Sequence, residues 1–549
     1  MCLCLHRRHR SERTFEHVYI NPDMYTMNMK YSCVQLNDLP DETLMIIFKK
    51  LANIEVLYSL GNVNKRLNRI AQDSVFTNEL ALFLSPCKGS VYSLPDPILD
   101  RFCSHILPKI HQKIQWLQLE SLSMERILRA TNYPNLYGIS LYNIQAETAI
   151  SLFTDETLIH ILKDQISSLV IDSSTNEIQR LPADNNTTMF TYIFTTFTNL
   201  QFLNFGASLL YHQRLSFCTS PLTIISTNLL KLHVYLADFS DCLYLLDGRF
   251  NQLHTLSANI FFIASSSLTI NNTKKLPTLK CFSLQCDIKT CAYDELILPL
   301  LHRMLYLEKL NLCLIISERK TFFDGNDLKI NIINHMSRLN KFTFNLHSSS
   351  CFYDQINLPS NEDIQKTFRD FNNKIVYCVD YFPKANYGQC HIYSYPYKLN
   401  YYDNITNNFP GGIFTCVRKV SLFDEHPFEH EFFLRIAQSF PLMEELTVNN
   451  QKRQINKRFR KSKNENQDLP IIKYHYLKKL NLTNNCKDYY EQFLLDTKTC
   501  LPVGVSIDMN YELVKKVTRN FRRNTTRKSS KYAPPIVTEN RGSPNMIDP

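Results

Sequence analysis

Along the first eighty residues the hydrophobic positions fall into short helical stripes separated by polar joints. In the stretch 39–51, LPDETLMIIFKKL, Leu44, Ile47, Phe48 and Leu51 recur at i, i+3, i+4 and i+7, the signature of one helix face. Pro40 suits a first helical turn, and Asp41 and Glu42 put negative charge where the helix dipole favours it. After the Ala52-Asn53 joint come a second segment, 54–60, and a third, 61–71. Leu60, Val63, Leu67, Ile70 and Ala71 keep helical spacing across them. Three helices in roughly 45 residues cannot bury this much apolar surface among themselves. The excess implies a docking partner, elsewhere in this chain or on another protein.

From about residue 110 a second pattern takes over. A helix-like apolar segment is followed by a hexamer of the form apolar-x-x-apolar-x-apolar. Examples start at Ile114 (IQWLQL), Leu136 (LYGISL), Ile166 (ISSLVI), Leu200 (LQFLNF), Leu229 (LLKLHV) and Leu279 (LKCFSL). Others start at Leu307 (LEKLNL), Leu339 (LNKFTF), Val417 (VRKVSL), Met443 (MEELTV) and Leu477 (LKKLNL). The stretches 306–312 and 476–482 agree at six of seven positions. Most starts lie 22 to 34 residues apart, near the roughly 20–29 of leucine-rich repeats. The chain therefore resembles an irregular leucine-rich-repeat protein, in which each unit supplies one strand and one helix and stacking makes the core. An asparagine at the ladder position is mostly missing, Asn485 being one candidate. The stretch 345–416 interrupts the series with an aromatic run, 376–381, read as one more degenerate repeat, and a hairpin-like 391–397.

The N-terminal stripes carry a further resemblance. Leu39, Pro40 and Glu42 match the Leu-Pro-x-Glu opening of an F-box, and Leu44, Ile47, Phe48 and Leu51 its aliphatic first helix. Glu55-Val56-Leu57 match its acidic-aliphatic step, followed by Leu60 and by Val63, Lys65 and Leu67 in the closing element. Asn64 and Leu67 depart from the usual Cys/Ser and Trp. The resemblance covers about 40 of the 549 residues. It implies that Leu39, Pro40, Glu42, Leu44, Ile47, Phe48, Leu51, Leu57, Leu60, Val63, Lys65 and Leu67 serve binding of a Skp adaptor, with some of the first stripe facing the inner core. Through the adaptor the chain would reach a cullin scaffold in a ubiquitin ligase, and the repeats would hold the protein target.

Composition narrows the alternatives. Only 11 glycines occur, and GxGxxG, GxxxxGK[ST] and GxSxG are all missing, which removes several nucleotide-binding and hydrolase classes. The 17 cysteines lack CxxC pairs, which suits reduced, mostly buried thiols better than a disulfide framework. The N-terminal MCLCLHRRHRSER has no apolar secretory core, and no run reaches the length of a membrane span. A cytoplasmic or nuclear protein is expected. Of the net charge of +10, residues 451–468 and 514–531 carry +5 and +8, so the rest of the chain is about −3. The two basic stretches read as solvated loop and tail. The rival function is an F-box-like interaction protein, outside any ligase, that uses these segments to bind nucleic acid.

His426-Pro-Phe-Glu-His430 has a metal-binding spacing, yet Pro427 fits only a first turn, so these residues read as polar caps. Cys390-His391 and Cys286 with Cys291 lack partners at zinc-ligand spacing. Trp116, the only tryptophan, reads as core, with an outward binding role as the alternative. No catalytic residue, cofactor or metal is expected. The overall expectation is an α/β chain. It comprises an extension over 1–32, a three-helix F-box over 33–80, a helical linker over 81–113, a leucine-rich-repeat-like α/β solenoid (horseshoe) over 114–510, and a basic, disordered tail over 511–549.

Overall fold

The computed structural model describes residues 36–520 apart from 62, 86–90, 156–161, 173–183, 207–213, 219–223, 265–273, 320, 352–357, 372–373 and 456–469. Most of the basic segment 451–468 and the tail beyond 520 therefore lie outside the described residues. The chain divides into two compact units, Met1–Phe76 and Thr77–Pro549.

In the first unit the three predicted helices are α1 (Asp41–Phe48), α2 (Asn53–Leu60) and α3 (Lys65–Ala71). Pro40 caps α1 from the extended region, with Asp41 and Glu42 in the first turn. The α2 start is closed by Glu55, whose Oε2 accepts from Ala52 N at 3.0 Å. The α3 start is closed by Asn64, whose Oδ1 accepts from Leu67 N at 2.8 Å. Leu44, Phe48, Val56, Leu60, Leu67, Ile70, Ala71 and Phe76 form one core, with Leu36, Leu39, Met45 and Leu51 half-buried against it.

The second unit is a mixed α/β structure built on a large, mainly parallel sheet. Its strands are β1 (Glu79–Leu82), β2 (Trp116–Glu120), β3 (Gly138–Tyr142), β4 (Ser168–Asp172), β5 (Phe202–Gly206) and β6 (Lys231–Asp238). They continue as β7 (Thr255–Phe262), β8 (Cys281–Cys286), β9 (Lys309–Ile316), β10 (Lys341–Cys351), β11 (Ile375–Phe382) and β12 (Tyr387–Ser394). From β1 to β10 each strand lies parallel beside its predecessor in the chain, and β12 then pairs antiparallel with β10 and carries β11 on its far edge. A second parallel sheet joins β13 (Tyr401–Ile405), β14 (Lys419–Phe423), β15 (Glu445–Asn449), β17 (Lys479–Asn481) and β19 (Ser506–Asp508). Short strands β16 (Ile472–Lys473) and β18 (Thr499–Cys500) pair with each other.

Every predicted hexamer becomes a strand that starts at its third position. The fourth and sixth residues point inward and align in register, so Leu117, Ile139, Leu169, Leu203, Leu232, Leu256, Phe282, Leu310 and Phe342 form one buried row. Each such side chain contributes roughly 2 kcal/mol of burial, which an isolated strand could not realise. Beneath the second sheet the core is aromatic: Phe414 stacks on Phe440 (5.0 Å) and Phe428 on Phe432 (4.4 Å).

The structure corrects several boundaries. The first strand is β1, inside the segment expected to close the F-box and open a linker, because two residues, Leu80 and Leu82, suffice to continue the buried row. Of the expected helical linker 81–113, residues 96–113 are helical, and the described part of 81–95 is strand end and loop. The aromatic run 376–381 is not a further parallel repeat but one arm of an antiparallel hairpin, and of 391–397 only 391–394 belongs to the other arm, 395–397 lying beyond its end. The expected disordered tail begins instead as a helix, Tyr511–Val517, capped by Asn510 and holding Val514 and Val517 in the core.

Candidate protein-interaction surfaces

Two surfaces are left once the cores are accounted for. On the first unit, the stripe predicted to bind an adaptor splits. Leu44 (0% exposed), Phe48, Leu57, Leu60 and Leu67 are buried, while Leu39 and Leu51 are half-buried. Pro40, Glu42 and Lys65 are exposed, as are Ile47 (37%) and Val63 (54%). Ile46 (64%) and Val75, which sequence spacing did not single out, are exposed too. The α1 start is clamped to α3: Asp41 Oδ1 accepts from Arg66 Nε at 2.6 Å and Oδ2 from Arg69 at 2.5 Å, and Arg66 also reaches the Leu39 carbonyl (2.6 Å). The Arg66 hydrogen bond holds the Asp41 carboxyl below the usual carboxylate range. Asn64, a departure from the F-box pattern, performs a cap that Ser would also perform.

On the second unit the strand face opposite the buried row is polar. Apart from the apolar Val170 on β4, it runs in register through Gln118, Ser140, Asn204, His233, Ser257, Ser283, Asn311 and Thr343, of which Ser140 is buried and the others are half-buried or exposed. Asn311 donates to Ser283 Oγ (2.9 Å), and Thr343 donates to Asn311 Oδ1 (2.9 Å). Trp116 belongs to this face, not to the core. Its Nε1 donates to Ser140 Oγ (2.8 Å), it meets Tyr137 edge-on (5.9 Å), and its ring covers Gly138, where a Cβ would collide with it. The alternation along β2 sends Leu117 and Leu119 inward and leaves Trp116 half-exposed.

Where β10 meets β12, His347 and His391 face each other as register partners, their rings 5.3 Å apart. His347 Nε2 donates to Gln389 Oε1 (3.2 Å), and Gln389 Nε2 in turn donates to Asp380 Oδ2 (3.2 Å). His391 Nε2 donates to Asn345 Oδ1 (2.9 Å) among the rings of Tyr393 and Tyr402. Burial, above all, holds both imidazoles below the ordinary histidine range. Asp380 also accepts from Thr406 Oγ1 (2.6 Å) and Asn408 Nδ2 (2.9 Å), which satisfies the buried carboxylate with neutral donors.

The HxxEH residues do not share a helix face. The helix starts at His430, Glu429 precedes it, and His426 lies exposed in the loop. His430 is buried; its Nε2 donates to the Pro470 carbonyl (2.9 Å) and its Nδ1 accepts from Gln492 Nε2 (3.1 Å). Among the described residues one set of metal-capable groups converges, Cys218, Asp238 and Asp241. Its carboxylates already cap the helix Phe239–Leu245: Asp238 Oδ1 accepts from Asp241 N (3.2 Å) and Asp241 Oδ2 from Asp238 N (3.2 Å), while Asp241 Oδ1 also accepts from Phe217 N (2.7 Å). Burial first, and Asp238 second, push the Asp241 carboxyl up to about 7. The cysteines among the described residues are free thiols, five of them buried, Cys242, Cys286, Cys313, Cys378 and Cys390. Cys390 and His391 point to opposite faces of β12. Asn485 is buried and links the ends of the neighbouring parallel strands β15 and β17, accepting from Asn450 N (3.0 Å) and donating to the Val448 carbonyl (2.5 Å). No helix among the described residues is long and apolar enough to cross a membrane. The sequence matches no known family and no curated protein.

Proposed function

We propose that the protein is the substrate-recognition subunit of a Skp-cullin-F-box ubiquitin ligase. The first unit would dock the Skp adaptor, and the second, as an irregular leucine-rich-repeat domain, would bind the protein to be ubiquitinated. The observation that carries this reading is the division of labour on the three-helix unit. A sequence opening Leu39-Pro40-x-Glu42 closes its own core with Leu44, Phe48, Leu60 and Leu67 and still leaves Ile46, Ile47, Val63 and Val75 in solvent. Apolar groups in that number on so small a unit are a surface in want of a partner. Chain-ordered parallel strands and the Asn450–Asn485 link support the repeat assignment. The role is recruitment, not catalysis, in the cytoplasm or nucleus.

Co-purification with the Skp adaptor tests it, with wild type set against Ile47→Asp/Val63→Asp. Val63 is exposed and Ile47 is 37% exposed, and amide hydrogen exchange across 41–71 checks that the variant keeps its fold. Adaptor retained by the wild type and lost by the variant is the expected result. A folded wild type that ignores the adaptor overturns the reading.

A further inference from the structure

We infer that the strand starts of β6–β10 form a docking strip for an acidic, extended segment of the target protein. The inference rests on the receptor reading above and names the chemistry of what the second unit would hold. On the polar face, the first residues of these five strands stand in register as Lys231, Thr255, Cys281, Lys309 and Lys341. All three lysines are exposed, and none has a carboxylate within ion-pair reach among the described residues. The loops that lead into the strands add Lys280 and Arg338, both exposed. Lys280 meets Glu308 at 3.8 Å, whereas Arg338 faces the Tyr306 ring, 4.9 Å away.

Counted from eight residues before each strand through its first residue, nine cations stand against two carboxylates; Arg303 is buried and Arg249 and Lys280 are paired with Asp247 and Glu308, which leaves Lys231, Lys274, Lys275, Lys309, Arg338 and Lys341 exposed. The chain outside its two basic segments is slightly acidic, so this edge is a local concentration of charge and not a reflection of composition. Lys309 and Lys341 oppose each other directly, an arrangement that is unfavourable until a counter-charge arrives. Five strands at about 4.8 Å spacing set the row at about 19 Å, the reach of about six extended residues. Carboxylates on alternate positions of such a segment would meet the lysines in turn.

Protein is favoured over nucleic acid by what separates the cations. Thr255 and Cys281 offer no stacking platform, and the exposed ring nearby, Tyr306, is already faced by Arg338.

The test is fluorescence anisotropy of a fluorescein-labelled poly-glutamate 20-mer on the full chain. The charge-reversed Lys231→Glu/Lys309→Glu/Lys341→Glu and its glutamine counterpart are compared with wild type, poly-U is a second probe, and adaptor co-purification is run on each preparation. The expected result is salt-sensitive binding of poly-glutamate, weakened at least about tenfold by the reversal, with the glutamine variant between. Poly-glutamate affinity that is absent, or equal in all three proteins, overturns the inference. So does a preference for poly-U with the same lysine dependence. Loss of adaptor binding with the lysine-dependent poly-glutamate binding intact sinks the ligase reading and leaves the strip standing.

Discussion

Leu44 and Ile47 belong to one apolar stripe of α1, and truncating each should have different consequences. Leu44 is wholly enclosed by the first unit's core, so Leu44→Ala leaves a cavity and should cost roughly 3 kcal/mol. A unit of this size is stable by only about 3–5 kcal/mol. The variant should therefore open its three helices about a hundredfold more often than wild type. Ile47 already has 37% of its surface in water. Its truncation creates no cavity and should cost at most about 1.5 kcal/mol, about tenfold in opening. Amide hydrogen exchange across 41–71 reads these openings directly, whereas a global melting curve would be dominated by the larger second unit. Equal loss of protection in the two variants, or a larger loss for Ile47→Ala, would refute the division of the stripe into core and surface.

Gly138→Ala should push the Trp116 ring off the sheet and break its bond to Ser140, and the single tryptophan makes the change visible as a red shift in emission; an unchanged spectrum counts against the packing. His430→Ala should cost about 2 kcal/mol of stability through two lost buried hydrogen bonds, read as a lower melting temperature, while His426→Ala should be neutral; equal losses accompanied by bound zinc would restore the metal reading. His347 and His391 predict acid sensitivity. Their folded-state pKa values lie below the ordinary 6.5, so above about 6.5 both states are neutral and the contribution is whole. As pH falls below that value the unfolded chain takes up protons first, and stability is lost. Asp241, pushed up to about 7, works in the opposite direction over the same window. The measurement is therefore the difference in melting temperature, from pH 8 to 5, between wild type and His347→Gln/His391→Asn. Parallel curves would contradict the prediction.

The class of fold was readable in the sequence because strand and helix periods are local. Burial of one face imposes apolar positions at fixed spacing, and eleven hexamers announced eleven strands. Helix caps such as Asn64 and Asn510 were open to the same kind of reading. Strand β7 escaped because Leu253, Leu256 and Ala258 end on a weakly apolar residue, and β1 because it is only four residues long. Within α1 the spacing marked an apolar stripe but could not divide it, since Leu44 and Ile47 are alike to a period of 3.6. Contacts with α2 and α3 decided which was covered. The face of Trp116 followed from the strand's alternation only once the register was known. The meeting of His347 with His391, 44 residues later in the chain, needed the antiparallel hairpin. The lysine row needed the parallel stack, because charges far apart in the chain become neighbours only when strands pair in register. Periodicity is a property of neighbours in the chain and stands in the sequence alone; proximity between distant segments is set by the summed packing of the fold, and only the tertiary structure decided it.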